Sequence, residues 1–270
     1  MRVHHLNCGT MKPWATPDGL VCHVLVIETD HGLALVDSGF GVMDGPQRRT
    51  RMGSARHYVR PIFDPDEAAI RQLPSLGYDP RDVRDIILTH FDADHIGGLS
   101  DFPWARVHLT ADEIGAAKAR TTLVEKRRYR AGYIDELDVV GHSPSRTEAW
   151  HGFDAATELA SVGPGIFLVA LPGHSRGHAA VAVETDGRRI LHVGDSFYHH
   201  GQVDGTGHAP LAMTAMERVI ARDWRRVQSN HERLSELWAA DDPALTLINA
   251  HDPTLFERAR DGERQPRRPD

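Results

Sequence analysis

The sequence predicts an α/β sandwich in which several strands end in metal-ligand residues. Three observations predict it. Short apolar runs that read as strands are mixed with segments of helical composition in both halves of the chain. Four of these runs are followed almost at once by His or Asp. One of them, Ile86-Ile87-Leu88, leads into Thr89-His90-Phe91-Asp92-Ala93-Asp94-His95-Ile96-Gly97-Gly98, which places four nitrogen or oxygen donors within six residues.

The elements follow in order. Residues 21–27 and 33–36 read as a hairpin joined through Thr29-Asp30-His31-Gly32. Residues 64–77 have helical composition and open on Asp64-Pro65-Asp66-Glu67, a helix start signal. Asp79-Pro80 marks a turn before the strand at Ile86. Residues 107–110 read as a further strand, and 111–130, rich in Ala, Glu, Lys and Arg, as helix. The run 166–171 precedes Pro172-Gly173-His174. Residues 179–184 and 190–193 form a second hairpin across Thr185-Asp186-Gly187-Arg188, and Asp195 follows it. Residues 212–224 and 227–240 read as helices; the run 245–250 leads into His251. The tail 261–270 is charged and contains Pro, so it is expected to fray.

The donors are imidazole and carboxylate, with no thiolate among them. Buried charge is costly without a compensating partner, and a divalent ion is the natural one. Zn, Fe, Mn or Co suits this set better than a Cys-rich structural zinc site does.

Composition narrows the function classes. The chain has 270 residues, 40% hydrophobic and 26% charged. It reads as one domain over 1–270, without a linker or an evident internal repeat. A formal net charge of -7 offers no basic field for nucleic acid. The local basic runs Arg48-Arg49-Thr50-Arg51 and Lys126-Arg127-Arg128-Tyr129-Arg130 read as exposed surface or a lid face. Cys8 and Cys22 make no disulfide framework. Met1-Arg2-Val3-His4-His5 lacks an apolar signal core, and no run approaches membrane-spanning length, so a cytoplasmic protein without a membrane partner is expected. Two irregular segments, 41–61 and 132–151, are candidate lids. Met43, Met52, Tyr58, Phe63 and Tyr133 would then line an apolar wall, which favours a small-molecule substrate with an apolar portion.

The chain resembles the metallo-β-lactamase superfamily. The family motif His-x-His-x-Asp-His, then a later His, Asp and His, is matched by His90-x-Asp92-x-Asp94-His95, His174, Asp195 and His251. Val36-Asp37-Ser38-Gly39 and Leu171-Pro172-Gly173-His174-Ser175-Arg176-Gly177-His178 resemble two further family segments. The resemblance spans roughly positions 20 to 252. It implies an αββα sandwich of two mixed sheets flanked by helices. It also implies two divalent metal ions, Zn favoured, with a bridging hydroxide as nucleophile. His90, Asp92 and His174 would form the first site; Asp94, His95 and His251 the second; Asp195 would bridge. Asp94 would also shuttle a proton, Asp37 would orient a ligand His, and His178 would support the site without ligating.

Asp92 departs from the family, which most often has a second His there. The extra carboxylate lowers the positive charge of the centre and tilts the metal preference towards Fe or Mn. Tyr198 follows Asp195 by three residues, a spacing similar to that of the family's acyl-homoserine lactonases, where such a tyrosine hydrogen-bonds the substrate. The Ala250-His251-Asp252 ending is similar too. The favoured expectation is a dinuclear hydrolase that opens a lactone or cleaves a related carboxylic ester, with Asp94 and Tyr198 as catalytic residues. A homodimer is compatible with it. The alternatives are an iron-dependent oxidoreductase, a hydrolase of β-lactams or phosphodiesters, and a non-catalytic metal protein.

Overall fold

The computed structural model describes residues 1–262 apart from 15, 17, 53–55, 147 and 186. The fraying expected of the tail concerns residues that, beyond 262, lie outside the described ones. Two mixed sheets form the centre. The first runs, in spatial order, β1 (Val3–Asn7), β2 (His23–Thr29), β3 (Gly32–Val36), β4 (Val83–Ile87), β5 (Arg106–Thr110) and β6 (Val139–His142). The second holds β7 (Ala156–Glu158), β8 (Ile166–Ala170), β9 (Ala179–Thr185), β10 (Arg188–His192) and β11 (Leu245–Ile248), with β7 and β11 at its edges. In the first sheet β1 to β3 pair antiparallel and β3 to β6 parallel. In the second only the β10–β11 pair is parallel.

The period of two along each strand makes the sandwich. Leu25, Ile27, Ala34, Val36 and Ile87 point from the first sheet into a core shared with Ile166, Leu168, Val181, Val183 and Ile248 of the second. Their neighbours Val24, Val26, Leu35, Ile86 and Leu88 turn to the other face and pack on Ala69, Leu73, Ala116 and Ala117. On the outer side of the second sheet, Val169, Ala182 and Leu191 meet Leu234 and Trp238 of the helix Trp224–Ala239 and Leu255 of the helix Pro253–Arg260. This is the α/β sandwich with helices on both faces that the sequence predicts. No helix among the described residues is long and apolar enough to cross a membrane.

Two local expectations differ. Residues 64–77 are not one helix: a 3-10 turn Pro65–Glu67, a helical turn Ala69–Gln72 and a 3-10 turn Leu73–Leu76 follow each other. Ala68 is extended between the first two, and Pro74 has no amide to continue an α-helical ladder. Residues 111–130 divide into helices Ala111–Ala119 and Leu123–Arg128. Arg120 takes a left-handed conformation at φ 45°, and Thr122 with Glu125 forms a capping box that restarts the chain. Segment 132–151, a candidate lid, carries β6 at a sheet edge. Its Tyr133 and Trp150 are anchored in two different cores.

Candidate metal centre

Four strands deliver the predicted donors to one place. His90 and Asp92 follow β4, and Asp94 and His95 lie in the helical turn Ala93–Ile96. His174, Asp195 and His251 follow β8, β10 and β11. The structure brings all seven together in two overlapping groups. His90 Nε2 lies 3.4 Å from Asp92 Oδ2 and 3.8 Å from Asp195 Oδ2. His174 Nε2 lies 3.1 Å from Asp92 Oδ2 and 3.5 Å from Asp195 Oδ2. In the second group Asp195 Oδ1 lies 3.2 Å from His95 Nε2 and 3.0 Å from His251 Nε2, and Asp94 Oδ2 is 3.6 Å from His251 Nε2. Asp195 faces both groups, one oxygen to each. The Cys22 thiol borders Asp94 and His251, and burial followed by the Asp94 charge keeps it protonated.

Hydrogen bonds behind the donors fix which nitrogen faces inward. His95 Nδ1 donates to Asp37 Oδ2 at 2.8 Å, and His251 Nδ1 donates to the Val21 carbonyl at 2.8 Å. Each ring therefore turns its Nε2 lone pair to the centre. Asp37 sits at φ 57°, a conformation an aspartate tolerates, and also accepts the Thr89 amide at 2.8 Å. His178 accepts the Asp195 amide on Nε2 at 3.0 Å while its Nδ1 donates to Leu171 O, so it holds the Asp195 backbone. Gly194, just before Asp195, has φ 53°; a Cβ there would lie 2.7 Å from His178 Nε2 and 2.8 Å from Thr89 Cβ.

The donor set fits a divalent cation. His90 Nε2, His95 Nε2, Asp92 Oδ1 and Asp195 Oδ1 are buried and have no hydrogen-bond partner. An unpaired buried polar atom costs about 1–3 kcal/mol, so four in one cluster need a common partner. Burial disfavours charge on His95 and His251, yet Asp195 and its neighbouring carboxylates outweigh it and raise both. The same field attracts a metal ion.

Arg128 enters this centre, a residue that sequence reasoning read only as part of a surface run. It ends the helix Leu123–Arg128 with its side chain only 8% exposed. Its Nη1 donates to Asp92 Oδ2 at 2.8 Å and to His174 Nε2 at 2.7 Å, and its Nη2 donates to Ile220 O at 2.7 Å. Burial opposes ionisation of Asp92, but Arg128 and His90 hold its pKa well below the usual range. Burial and then Arg128 push His174 down to about 4, so its ring is neutral. Lys126 and Arg127 of the same basic run are exposed, as surface residues would be. Glu113 was also missed. It is fully buried and accepts from Tyr129 Oη, Ser175 Oγ and the amides of Phe91 and Gly177 at 2.7–3.2 Å. It thereby ties the His90 and His174 loops together. An acid in helix 111–119 carries no sequence signal for this role.

Tyr198 is buried beside the donors. Its hydroxyl donates to Asp195 Oδ2 at 2.6 Å, and its ring lies parallel to His251 with centroids 5.3 Å apart. Burial, then Asp195, keeps the phenol protonated. Around it Met11, Leu20, Cys22, Phe40, Met52 and Met213 form an apolar cluster, with Phe63 and Ile220 packed against it. Met52 and Phe63 belong to this cluster, Tyr133 lies in another core, and Met43 and Tyr58 are exposed, the Tyr58 hydroxyl within electrostatic reach of Asp92 and Asp94. His200 pairs with Asp252 at 2.8 Å, and His199 caps the turn His200–Gln202.

Known proteins are similar to this chain in sequence and fold. The model of the metallo-beta-lactamase superfamily matches residues 17–237. A probable metallo-hydrolase of Mycobacterium tuberculosis is 47% identical over 262 residues, covering 97% of this chain and 83% of its own. An N-acyl homoserine lactonase of Bacillus cereus is 27% identical over 226 residues, covering 79% of this chain and 82% of its own. The solved structure of an N-acyl homoserine lactone hydrolase with N-hexanoyl-L-homoserine bound superposes with a TM-score of 0.64 at 19% identity, covering 94% of each chain.

Proposed function

Because the chain belongs to the metallo-beta-lactamase superfamily, we propose that it is a metal-dependent hydrolase that opens lactones or cleaves related carboxylic esters, acyl-homoserine lactone-like substrates favoured. The observation that carries the reading is the convergence of Asp94, His95, Asp195 and His251 beside an oriented phenol and an apolar wall. The hydrolase class is supported by family membership and by the mycobacterial relative, described as a probable metallo-hydrolase. The lactone preference is supported by the lactonase relative and by Tyr198.

A divalent ion on these four residues would supply a Lewis acid and lower the pKa of nearby water towards neutrality. The chain does the rest. Asp94, 18% exposed against 4% for Asp195, is the donor that faces the opening; one of its oxygens takes the proton of the attacking water and returns it to the leaving alkoxide. Tyr198 has one hydroxyl proton, which it donates in a hydrogen bond to Asp195. A substrate carbonyl oxygen competes for it, and the hydrogen bond strengthens as that oxygen gains charge. Met52, Phe63 and Met213 exclude water from the acyl portion. The iron-redox alternative drew on the hard ligand Asp92; that carboxylate is paired with Arg128.

Acid release measured by pH-stat on a panel of acyl-homoserine lactones, simple lactones, esters, a β-lactam and a phosphodiester tests the reading, with chelated protein as control. Metal-dependent ring opening that strengthens with acyl length is expected. Metal-loaded protein that releases acid only from the β-lactam or phosphodiester would overturn the lactone preference, and release from none would overturn the hydrolase reading.

A further inference from the structure

We propose that the guanidinium of Arg128 stands in place of a metal ion at the first site, so that the centre holds one divalent ion, on Asp94, His95, Asp195 and His251. The proposal rests on the metal-centre reading above and replaces the two-ion centre that the family resemblance implies.

Geometry supports it at both sites. The first site is His90, Asp92 and His174, and one nitrogen of Arg128 lies within hydrogen-bond distance of two of those three residues. A guanidinium only donates. The His174 Nε2 lone pair that would face an ion therefore faces an N–H, and so does Asp92 Oδ2. The contact with Ile220 O, at the end of the helix Leu211–Ile220, fixes the fork from its other side. Unpartnered donors remain in both groups, His90 Nε2 and Asp92 Oδ1 in the first and His95 Nε2 and Asp195 Oδ1 in the second; in the first a guanidinium already faces two of the three residues, whereas in the second the donor atoms face one another.

Charge points the same way. Three carboxylates face the centre: Asp92, Asp94 and Asp195. One guanidinium and one divalent ion neutralise them. Two divalent ions and a bridging hydroxide beside the buried guanidinium would leave one uncompensated positive charge, which burial opposes. A carboxylate at position 92 is the partner a buried guanidinium needs. The departure at Asp92 and the burial of Arg128 thus explain one another.

Metal content by elemental analysis tests this, on the full chain and on Arg128→Ala and Arg128→Lys, each dialysed against excess Zn(II) and checked for fold by circular dichroism. One zinc per chain is expected for the native protein and two for Arg128→Ala, with Arg128→Lys falling between if its ammonium still holds Asp92. Two zinc ions in the native protein would overturn the proposal while leaving the metal centre intact, as would one ion in both native protein and a folded Arg128→Ala. No zinc in any of them would overturn the metal-centre reading and this proposal with it. Electron paramagnetic resonance of the Mn(II)-loaded native protein tests the same point without a variant: an isolated hyperfine pattern is expected, and an exchange-coupled pair contradicts it.

Discussion

Tyr198 donates its hydroxyl proton to Asp195 Oδ2 at 2.6 Å, and the same carboxylate turns Oδ1 towards His95 and His251. The phenol therefore sits one bond from the residue shared by both donor groups. Tyr198→Phe removes that donor without removing a metal ligand. Metal content should stay unchanged, while kcat/KM for the favoured lactone falls by the value of a lost donor, about 1–3 kcal/mol, or roughly 5- to 150-fold. Steady-state kinetics with parallel metal analysis check it; full activity would remove Tyr198 from the reaction.

Asp37 acts one step behind the centre. Its carboxylate binds the His95 Nδ1 proton and the Thr89 amide from a left-handed backbone. Asp37→Asn keeps that backbone accessible but replaces one acceptor oxygen by a donor. Metal affinity, measured by competition with a chromophoric chelator, should fall about 10- to 100-fold, the usual effect of losing a ligand's supporting partner. Unchanged affinity would mean that the Nδ1 bond does not orient His95.

How much of this was legible in the sequence depends on how local each signal is. The ligands after β4, β8, β10 and β11 were legible because an apolar run ending in His or Asp is a pattern within ten residues. The hairpins at β2–β3 and β9–β10 were legible through their turn residues. Arg128 was not, since its partners Asp92, His174 and Ile220 lie 36, 46 and 92 residues away and its run is basic like any surface run. Strand β6 was hidden in a segment rich in Pro and Ser because it is short and only half-buried at a sheet edge.

Glu125 links the helix that carries Arg128 to the loop of His174, through an ion pair with Arg176 and a capping box with Thr122. Burial raises the Glu125 pKa, but the Arg176 and Thr121 hydrogen bonds outweigh it and lower it to about 2. A lowered folded value gives stability that is present above the ordinary glutamate value and lost as pH falls. The Tm advantage of the native protein over Glu125→Gln should therefore be largest near neutral pH and shrink from about pH 4.5 to about pH 2. Thermal melts across that range check it; a difference independent of pH would show that the charge of Glu125 contributes nothing.

Glu113 accepts four hydrogen bonds, from the amides of Phe91 and Gly177 and the hydroxyls of Tyr129 and Ser175. Glu113→Gln turns one acceptor into a donor aimed at other donors. A loss of about 1–3 kcal/mol is expected, read as a lower Tm and a lower urea midpoint at unchanged m-value. A neutral result would mean that the Ser175 and Gly177 loop is held by other contacts.

The most direct test of the central claim is a reconstitution titration. Metal-free protein receives Zn(II) in steps, and at each step bound metal and lactone hydrolysis are measured together. The account predicts that activity rises linearly with the first ion and reaches its plateau at one ion per chain. A plateau reached only at two ions, or bound zinc without turnover, would contradict it.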